Sequence, residues 1–468
     1  MTTGAGASAA TGDQTAAQAQ LVQILDPAVR ADPYPVFARI RELGPMVLPE
    51  TGMVVFSGFA DCDEVLRHPS SCSDGMKSSV VQRQIAEGIT PQRTATPGFL
   101  FLDPPDHTRL RTLAQQAFSP KAVRALEPEI HTLVGELLDA VAARRTGEET
   151  PGGPFDVVSD LAYPLPVAVI CRLLGVPLAD EPQFSRAAAL LAQGLDPIMT
   201  LTGQASANAD ERLRADEWMR DYLGHLVAKR RAEPREDMIS ALIAAEEDGD
   251  QLTVDEIVAT CDLLLIAGHE TTVNLIANAV LAMMRAPAQW AALAGDPERA
   301  NVIIEETLRY DPPVQLVMRI AGADMQIGGQ ERSDRGIVDG GQERSDRGIV
   351  GGGQERSDRG IVGGGQERSD RGIITVPEGD SILLLIAAAN RDPAAFDRPD
   401  AFDPDREGLR HLSFSKGPHF CLGAPLARLE ARIALTELAR RFPHAQLVAE
   451  PAYKPNVTLR GLASLRLG

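Results

Sequence analysis

The sequence predicts a mainly α protein with a small β part. Three observations predict it. Several long stretches carry apolar residues at helical spacing. One of them is apolar almost all round through its middle, the mark of a helix buried in the centre of a large protein. The segments that read as strands are few and short.

The elements follow in chain order. Pro33–Glu42 is the first stretch with helical apolar spacing. Met46–Leu48 and Met53–Ser57 read as short strands. Pro120–Ala143 and Leu213–Arg231 return to the helical period. Thr253–Arg285 opens on a capping box, Thr253 with Glu256, and ends at Pro287. Its middle, Asp262 to Ala267, is the almost wholly apolar part. Pro297–Arg309 is a further helix, Ile382–Ile386 a short strand, and Ala424–Arg441 the last helix.

Composition narrows the function classes. The chain has 468 residues, enough for a large core, and length alone allows two or three domains. Lys and Arg number 46 against 65 Asp and Glu, a formal charge of −19. No basic stripe for nucleic acid is visible, and no polybasic membrane anchor. The five cysteines are Cys62, Cys72, Cys171, Cys261 and Cys421. They are sparse, odd in number and without CxxC spacing, which speaks for a reducing compartment. Residues 1–20 lack a basic start and an apolar core, so they read as a disordered tail and not a signal peptide. The expected location is cytoplasmic.

A 12-residue repeat interrupts the chain. GGQERSDRGIV occurs at Gly328–Val338, Gly340–Val350 and Gly352–Val362, with a fourth copy at Gly364–Ile374 ending Ile-Ile. Each copy has balanced charge and only two apolar residues together, too little to build a core. Its glycines and Asp-Arg-Gly favour turns. The expectation is a flexible or weakly hairpin-like surface insertion. A calcium β-roll is the functional alternative, but the Gly-x-Asp pattern of such sites is missing.

Three constellations carry chemistry. The first is Phe414-Ser415-Lys416-Gly417-Pro418-His419-Phe420-Cys421-Leu422-Gly423. A Gly/Pro-rich loop presents Cys421 just before a helix, where amide N–H groups favour thiolate. Thiolate is a strong ligand for haem iron. Gly417 and Gly423 allow close backbone approach, as a flat macrocycle demands. Phe414 and Phe420 would shield the sulfur. Taken alone, Cys421 reads better as a buried structural cysteine. The second is Glu306-Thr307-Leu308-Arg309, whose acid and base share one helix face. The third is Ala267-Gly268-His269-Glu270-Thr271-Thr272, set in the apolar helix. Gly in a helix interior costs about 1 kcal/mol relative to Ala. Thr hydroxyls there can bond back to a carbonyl and open the helix locally. A polar kink used for packing is the plainer reading.

The ten-residue loop resembles the haem-ligand loop of the cytochrome P-450 superfamily, Phe-x-x-Gly-x-His/Arg-x-Cys-x-Gly. Phe414, Gly417, His419, Cys421 and Gly423 match it, and Ala424–Glu430 is similar to the soluble bacterial branch. Ser415 and Lys416 depart from the Gly and His common there, which bears on reductase docking. The resemblance runs from about Asp26 to the C-terminus outside the repeats.

It implies a P-450 fold, with the long central helix over the haem and the thiolate loop on the proximal side. It implies one catalytic domain over residues 21–468, interrupted at 328–374. It implies haem b with Cys421 as axial ligand. Glu306 and Arg309 would be structural, closed by Arg406. Gly268 would leave room for dioxygen, Thr271 would hydrogen-bond the bound oxygen, and Glu270 would relay protons. His269 would pack or face solvent. His107, Arg111, Arg319 and His419 would hold the haem propionates.

The implied function is a monooxygenase inserting one oxygen atom from O2 into a lipophilic small molecule, by hydroxylation or epoxidation. The pocket would be lined from the loop before Asp103, by Leu264 and Ala267, by Val314–Val317 and by Val457–Leu459. The chain shows no GxGxxG fingerprint after a strand, so electrons would come from an external ferredoxin and its NAD(P)H-dependent reductase. The protein would be a monomer. The alternatives are a peroxide-using haem-thiolate enzyme, a non-catalytic haem or gas-binding protein, and a partner-binding role for the repeats.

Overall fold

The computed structural model describes residues 18–48, 51–88, 96–146, 152–197, 201–202, 208–244, 246–247, 250–328 and 372–468. Repeat residues 329–371 lie outside the described residues, as do residues 1–17 of the expected tail. Residues 18–20 of the expected tail are described. The chain is helical from Gln18, and Leu21 is fully buried.

In chain order the helices are α1 (Tyr34–Leu43), α2 (Phe59–Arg67), α3 (Ser79–Ala86), α4 (Asp106–Gln115), α5 (Pro120–Thr146), α6 (Pro164–Leu174) and α7 (Glu181–Ala192). They continue as α8 (Ala209–Ala232), α9 (Met238–Ala244), α10 (Val254–Arg285), α11 (Pro287–Gly295), α12 (Arg299–Tyr310), the short α13 (Ile386–Ala389) and α14 (Ala424–Arg441). The helices expected from periodicity stand within a few residues of their expected bounds. Those not expected are amphipathic and short, or, like α6, buried nearly all round, so their period is weak in the sequence.

The central helix α10 organises the fold. Thr253 caps it: its hydroxyl accepts from Glu256 N, and Glu256 Oε2 accepts from Thr253 N at 2.9 Å. By length and composition α10 could cross a membrane, but 78% of its most apolar window is buried inside the protein. It is a core helix. Helices α5, α6, α8, α12 and α14 pack around it and each other in the main apolar cluster.

The β part is a five-stranded sheet to one side. Its strands are β1 (Met46–Leu48), β2 (Met53–Phe56), β3 (Ser71–Cys72), β4 (Leu316–Ala321) and β7 (Ser381–Leu385), in the order β1-β2-β7-β4-β3. β7 runs parallel to β2 and antiparallel to β4, with Ile382 opposite Arg319. β2 and β7 are buried at every residue, as central strands covered on both faces should be. A separate hairpin pairs β5 (Met325–Ile327) with β6 (Ile374–Val376), Ile327 facing Ile374. The repeats therefore join two strands already held in register.

One buried ion pair ties the helices to the long segment before the Cys loop. Arg309 and Glu306 meet through two hydrogen bonds of 2.7 and 2.8 Å, and both side chains are fully buried. Arg309 also donates to the carbonyls of Asn390, Pro399 and Ala401. Glu306 accepts from Asp403 N at 2.8 Å, and Arg406 Nε lies 3.7 Å from it. The charges are paired and their remaining donors satisfied, the condition for burying them at all.

Candidate active site

The Cys loop is shaped by backbone constraints. Leu412 O accepts from Ser415 N, and Phe414 O accepts from Cys421 N, both at 2.8 Å. Ser415 and Gly417 have positive φ, 61° and 64°. A Cβ on Gly417 would come within 2.7 Å of the Leu66 carbonyl oxygen. Gly417 is thus required by its own conformation and by α2, and it is not among the residues that line the cavity. Gly423 does line the cavity and precedes α14.

Cys421 is half-buried and faces the cavity. Burial pushes its thiol up. The N–H groups of Gly423 and Ala424 and the charges of Arg111 and Arg428 pull it down, without fully offsetting burial. Phe414 is buried, whereas Phe420 is 40% exposed and lines the cavity.

A single cavity of about 1750 Å³ joins this loop to α10. Ala267, Gly268, Thr271 and Thr272 line it. The hydroxyls of Thr271 and Thr272 donate back to the carbonyls of Ala267 and Gly268 at 2.8 and 3.2 Å. These are the expected back-bonds, yet α10 runs unbroken through them. A Cβ on Gly268 would meet Ile170 Cδ1 at 3.1 Å, so the glycine also admits α6 against α10.

His269 is buried. Its Nδ1 lies 2.6 Å from Leu265 O, and burial lowers its pKa, so a neutral ring donates this bond.

Glu270 is buried and is not among the residues that line the cavity. Both its oxygens lie 2.9 Å from Lys454 Nζ, and Lys454 also donates to Asn274 Oδ1. Lys454 is 184 residues away in sequence, and no local pattern announces it.

The expected anion-holding residues gather at the cavity edge. Arg111, Arg319 and His419 line it; His107 sits behind, its ring centroid 4.2 Å from that of His419. Burial lowers Arg319 to about 10, with Asp103 acting against the shift. Burial, Arg319 and His107 lower His419 to about 3. Three buried ring nitrogens, both of His107 and Nδ1 of His419, have no hydrogen-bond partner. Asp103, the nearby acid, is occupied by Lys77 Nζ at 2.9 Å. The cluster is rich in donors and poor in carboxylate.

The pocket residues expected before Asp103, at Leu264 and Ala267, and at Val314, Leu316, Val317, Thr458 and Leu459 do line the cavity. Gln315 and Val457 do not. The reading missed a polar rim from α8 and α10, including Asp216, Arg220 and Asp262. Arg220 and Asp216 pair at 2.9 Å. Burial and the charge of Asp216 push Asp262 up to about 7, against Arg220. These charges were visible in the sequence but look like any solvated helix face. It missed Glu430 as well, a buried acid on α14 that lines the same cavity.

The family model described as Cytochrome P450 matches residues 42–295 and 369–459.

The chain belongs to the cytochrome P450 family.

The match pauses across a stretch that includes the first three repeat copies. Among relatives, the chain is 35% identical over 396 residues to the putative cytochrome P450 YjiB of Bacillus subtilis (strain 168), covering 84% of this chain and 86% of that one. It is 33% identical over 444 residues to the cytochrome P450 monooxygenase PikC of Streptomyces venezuelae, covering 93% and 90%. Among solved structures, ligand-free CYP164A2 of Mycobacterium smegmatis is 55% identical with a TM-score of 0.81, covering 96% of this chain and 99% of that one. The fold is the P450 fold, and the protein is a haem-thiolate monooxygenase, an oxygen-incorporating oxidoreductase.

The residues present fit a haem. One wall offers a thiol, the ligand type that P450s use. The edge offers two guanidinium groups and orphaned imidazole nitrogens, which suit a group carrying two carboxylates. Between them the lining includes Phe118, Ala267 and Leu426, apolar enough for the flat macrocycle.

Proposed function

We propose that this P450 inserts one oxygen atom from O2 into a lipophilic small molecule, by hydroxylation or epoxidation, with electrons from a ferredoxin and its NAD(P)H-dependent reductase. The cofactor is haem b, residues 21–468 are one catalytic domain carrying the repeat insertion, and the protein works as a cytoplasmic monomer. When bound, the haem supplies the redox chemistry that activates O2.

The observation that carries the reading is one cavity with Cys421 on one wall, Thr271 on another, and Arg111, Arg319 and His419 at its edge. In this reading Cys421 would hold the haem iron through its thiolate sulfur. Arg111 and Arg319 would hold the propionates and offset their charge, and His107 and His419 would add neutral hydrogen-bond donors. Phe414 screens the sulfur. Thr271 holds a proton at Oγ1, which returns to Ala267 O when not engaged. Glu270 is tied to Lys454 and would relay protons with water from that pair. Leu264, Ala267, Val314, Leu316, Val317 and Leu459 support a lipophilic substrate.

Turnover tests it. Purified protein with ferredoxin, reductase and NADH is given a panel of macrolides, steroids, terpenes and fatty acids. A member of the panel should shift the haem spectrum and gain one oxygen atom at the expense of NADH. Haem without NADH consumption on any member would favour a gas-binding protein. Oxygenation supported by peroxide and never by NADH would favour the peroxide-using alternative.

A further inference from the structure

The cavity wall carries opposite charge in two places. Beside the Cys loop stand Arg111 and Arg319. The rim contributed by α8 and α10 is acidic: Asp216, Glu217, Asp221, Asp255 and Asp262 all line the cavity. Two arginines of the same rim oppose them, and both are engaged. Arg212 donates to Asn208 Oδ1 at 2.7 Å, and Arg220 pairs with Asp216 at 2.9 Å. On α10, the lining that follows the rim is apolar, with Leu264, Ile266 and Ala267.

Asp262 stands apart from the other rim acids. The residue is half-buried, and its Oδ1 is enclosed without any hydrogen-bond partner. The charges that reach the carboxyl are those of Asp216 and Arg220, and no hydrogen bond from a described residue does. Val258, Asp262 and Ile266 share one stripe of α10, so the carboxyl sits between apolar neighbours on the cavity wall. Burial and the charge of Asp216 hold it at about 7, against Arg220. An enclosed, unpaired polar atom destabilises the fold, so packing does not explain this acid. A cation brought against it would restore the charged form and supply the missing bond.

We infer that Asp262 and the acidic rim select a lipophilic amine, whose protonated nitrogen donates to Asp262 while its hydrocarbon reaches along α10 toward Thr271. A fatty carboxylate is disfavoured at the rim, because it brings a like charge against Asp216, Glu217 and Asp221. Position follows from the helix. Asp262 lies nine residues before Thr271, about 14 Å along α10 at 1.5 Å per residue. The carbon that reacts is therefore remote from the nitrogen. The ammonium is held and not oxidised, and it fixes which end of the molecule enters. The inference rests on the oxygenase reading above and names its substrate class.

The experiment titrates haem-loaded protein at neutral pH with three probes of one chain length: N,N-dimethyldodecylamine, dodecanol and dodecanoate, each kept below micelle formation. Affinity is read from the haem spectrum and from calorimetry. Wild type should bind the amine about tenfold more tightly than the alcohol, and the carboxylate most weakly. Asp262→Asn should lose about that tenfold for the amine and leave the alcohol unchanged, a split that a merely structural role would not produce. Asp262→Glu should recover part of it. In turnover with ferredoxin, reductase and NADH, oxygen should enter the dodecyl chain with both N-methyl groups kept. Three results overturn the inference. One is an amine bound no better than the alcohol by wild type. Another is amine binding by Asp262→Asn that equals wild type or falls only as far as alcohol binding does. The last is release of an N-methyl group as formaldehyde, which would put the nitrogen at the reacting end. The first result needs no variant, so a misfolded Asp262→Asn leaves the test standing. A wild type that ranks the probes as expected but never oxygenates the amine overturns the oxygenase reading instead, because binding needs no electrons.

Discussion

At the scale of single residues, the site depends on what each polar group is bonded to. Thr271 rests on Ala267 O at 2.8 Å, a bond that leaves its oxygen facing the cavity. Thr271→Ala removes that hydroxyl and little volume. The variant should bind haem as wild type does but lose most product, with the electrons appearing as peroxide. Product per NADH equal to wild type would remove Thr271 from the mechanism. Cys421, Thr271 and the pair Glu306–Arg309 were legible in the sequence because each sits in a short run of specific residue types. Glu270 was legible as a residue but not as a contact. Lys454, which holds it, arrives from 184 residues further along the chain, and long-range pairing leaves no local trace. Glu430 was legible only as part of a motif. What sets it apart is the missing partner, and a missing partner appears only when every neighbour is placed.

Among elements, α12 and α14 are linked through Glu305. Arg428 donates to both its oxygens, at 2.6 and 3.0 Å, and His411 Nε2 lies 3.2 Å away. Burial alone would raise the Glu305 carboxyl, but hydrogen bonds from His411 and Arg428 and the charge of Arg428 win, holding it at about 2. Its folded value is below its ordinary value of 4.5. Its stabilisation is therefore full above about pH 4.5 and is lost as pH falls toward 2. Glu305→Gln should lower the Tm at neutral pH, and the gap to wild type should narrow as pH falls through that window. A gap that stays constant would show that Glu305 is not the titrating link. The capping box and the long period of α10 made that helix readable. α6 was not readable in the same way: it is apolar nearly all round, and 11 residues of that kind do not tell a buried helix from a buried strand.

Taken as a whole, the molecule is an α body around α10 with a sheet at one side, and the cavity lies where the sheet strand β4, the helix α10 and the Cys loop meet. The repeats join β5 and β6, whose register is fixed by Met325, Gln326 and Ile327 against Val376, Thr375 and Ile374. That hairpin packs on α2 and away from the cavity lining. Halving the length of a connection changes its closure cost by only about 0.6 kcal/mol. Deleting Gly340–Gly363 removes two whole periods and should leave haem content unchanged and Tm within about 1 °C. Loss of haem in that variant would make the repeats part of the catalytic body. Every part of the account leans on Cys421 as the axial thiolate. The direct test is the absorption spectrum of the dithionite-reduced protein under carbon monoxide, with Cys421→Ser beside it. The account predicts a Soret band displaced far to the red in wild type and absent in the variant. A Soret band at the position typical of a histidine ligand, or the same band in both proteins, would contradict it.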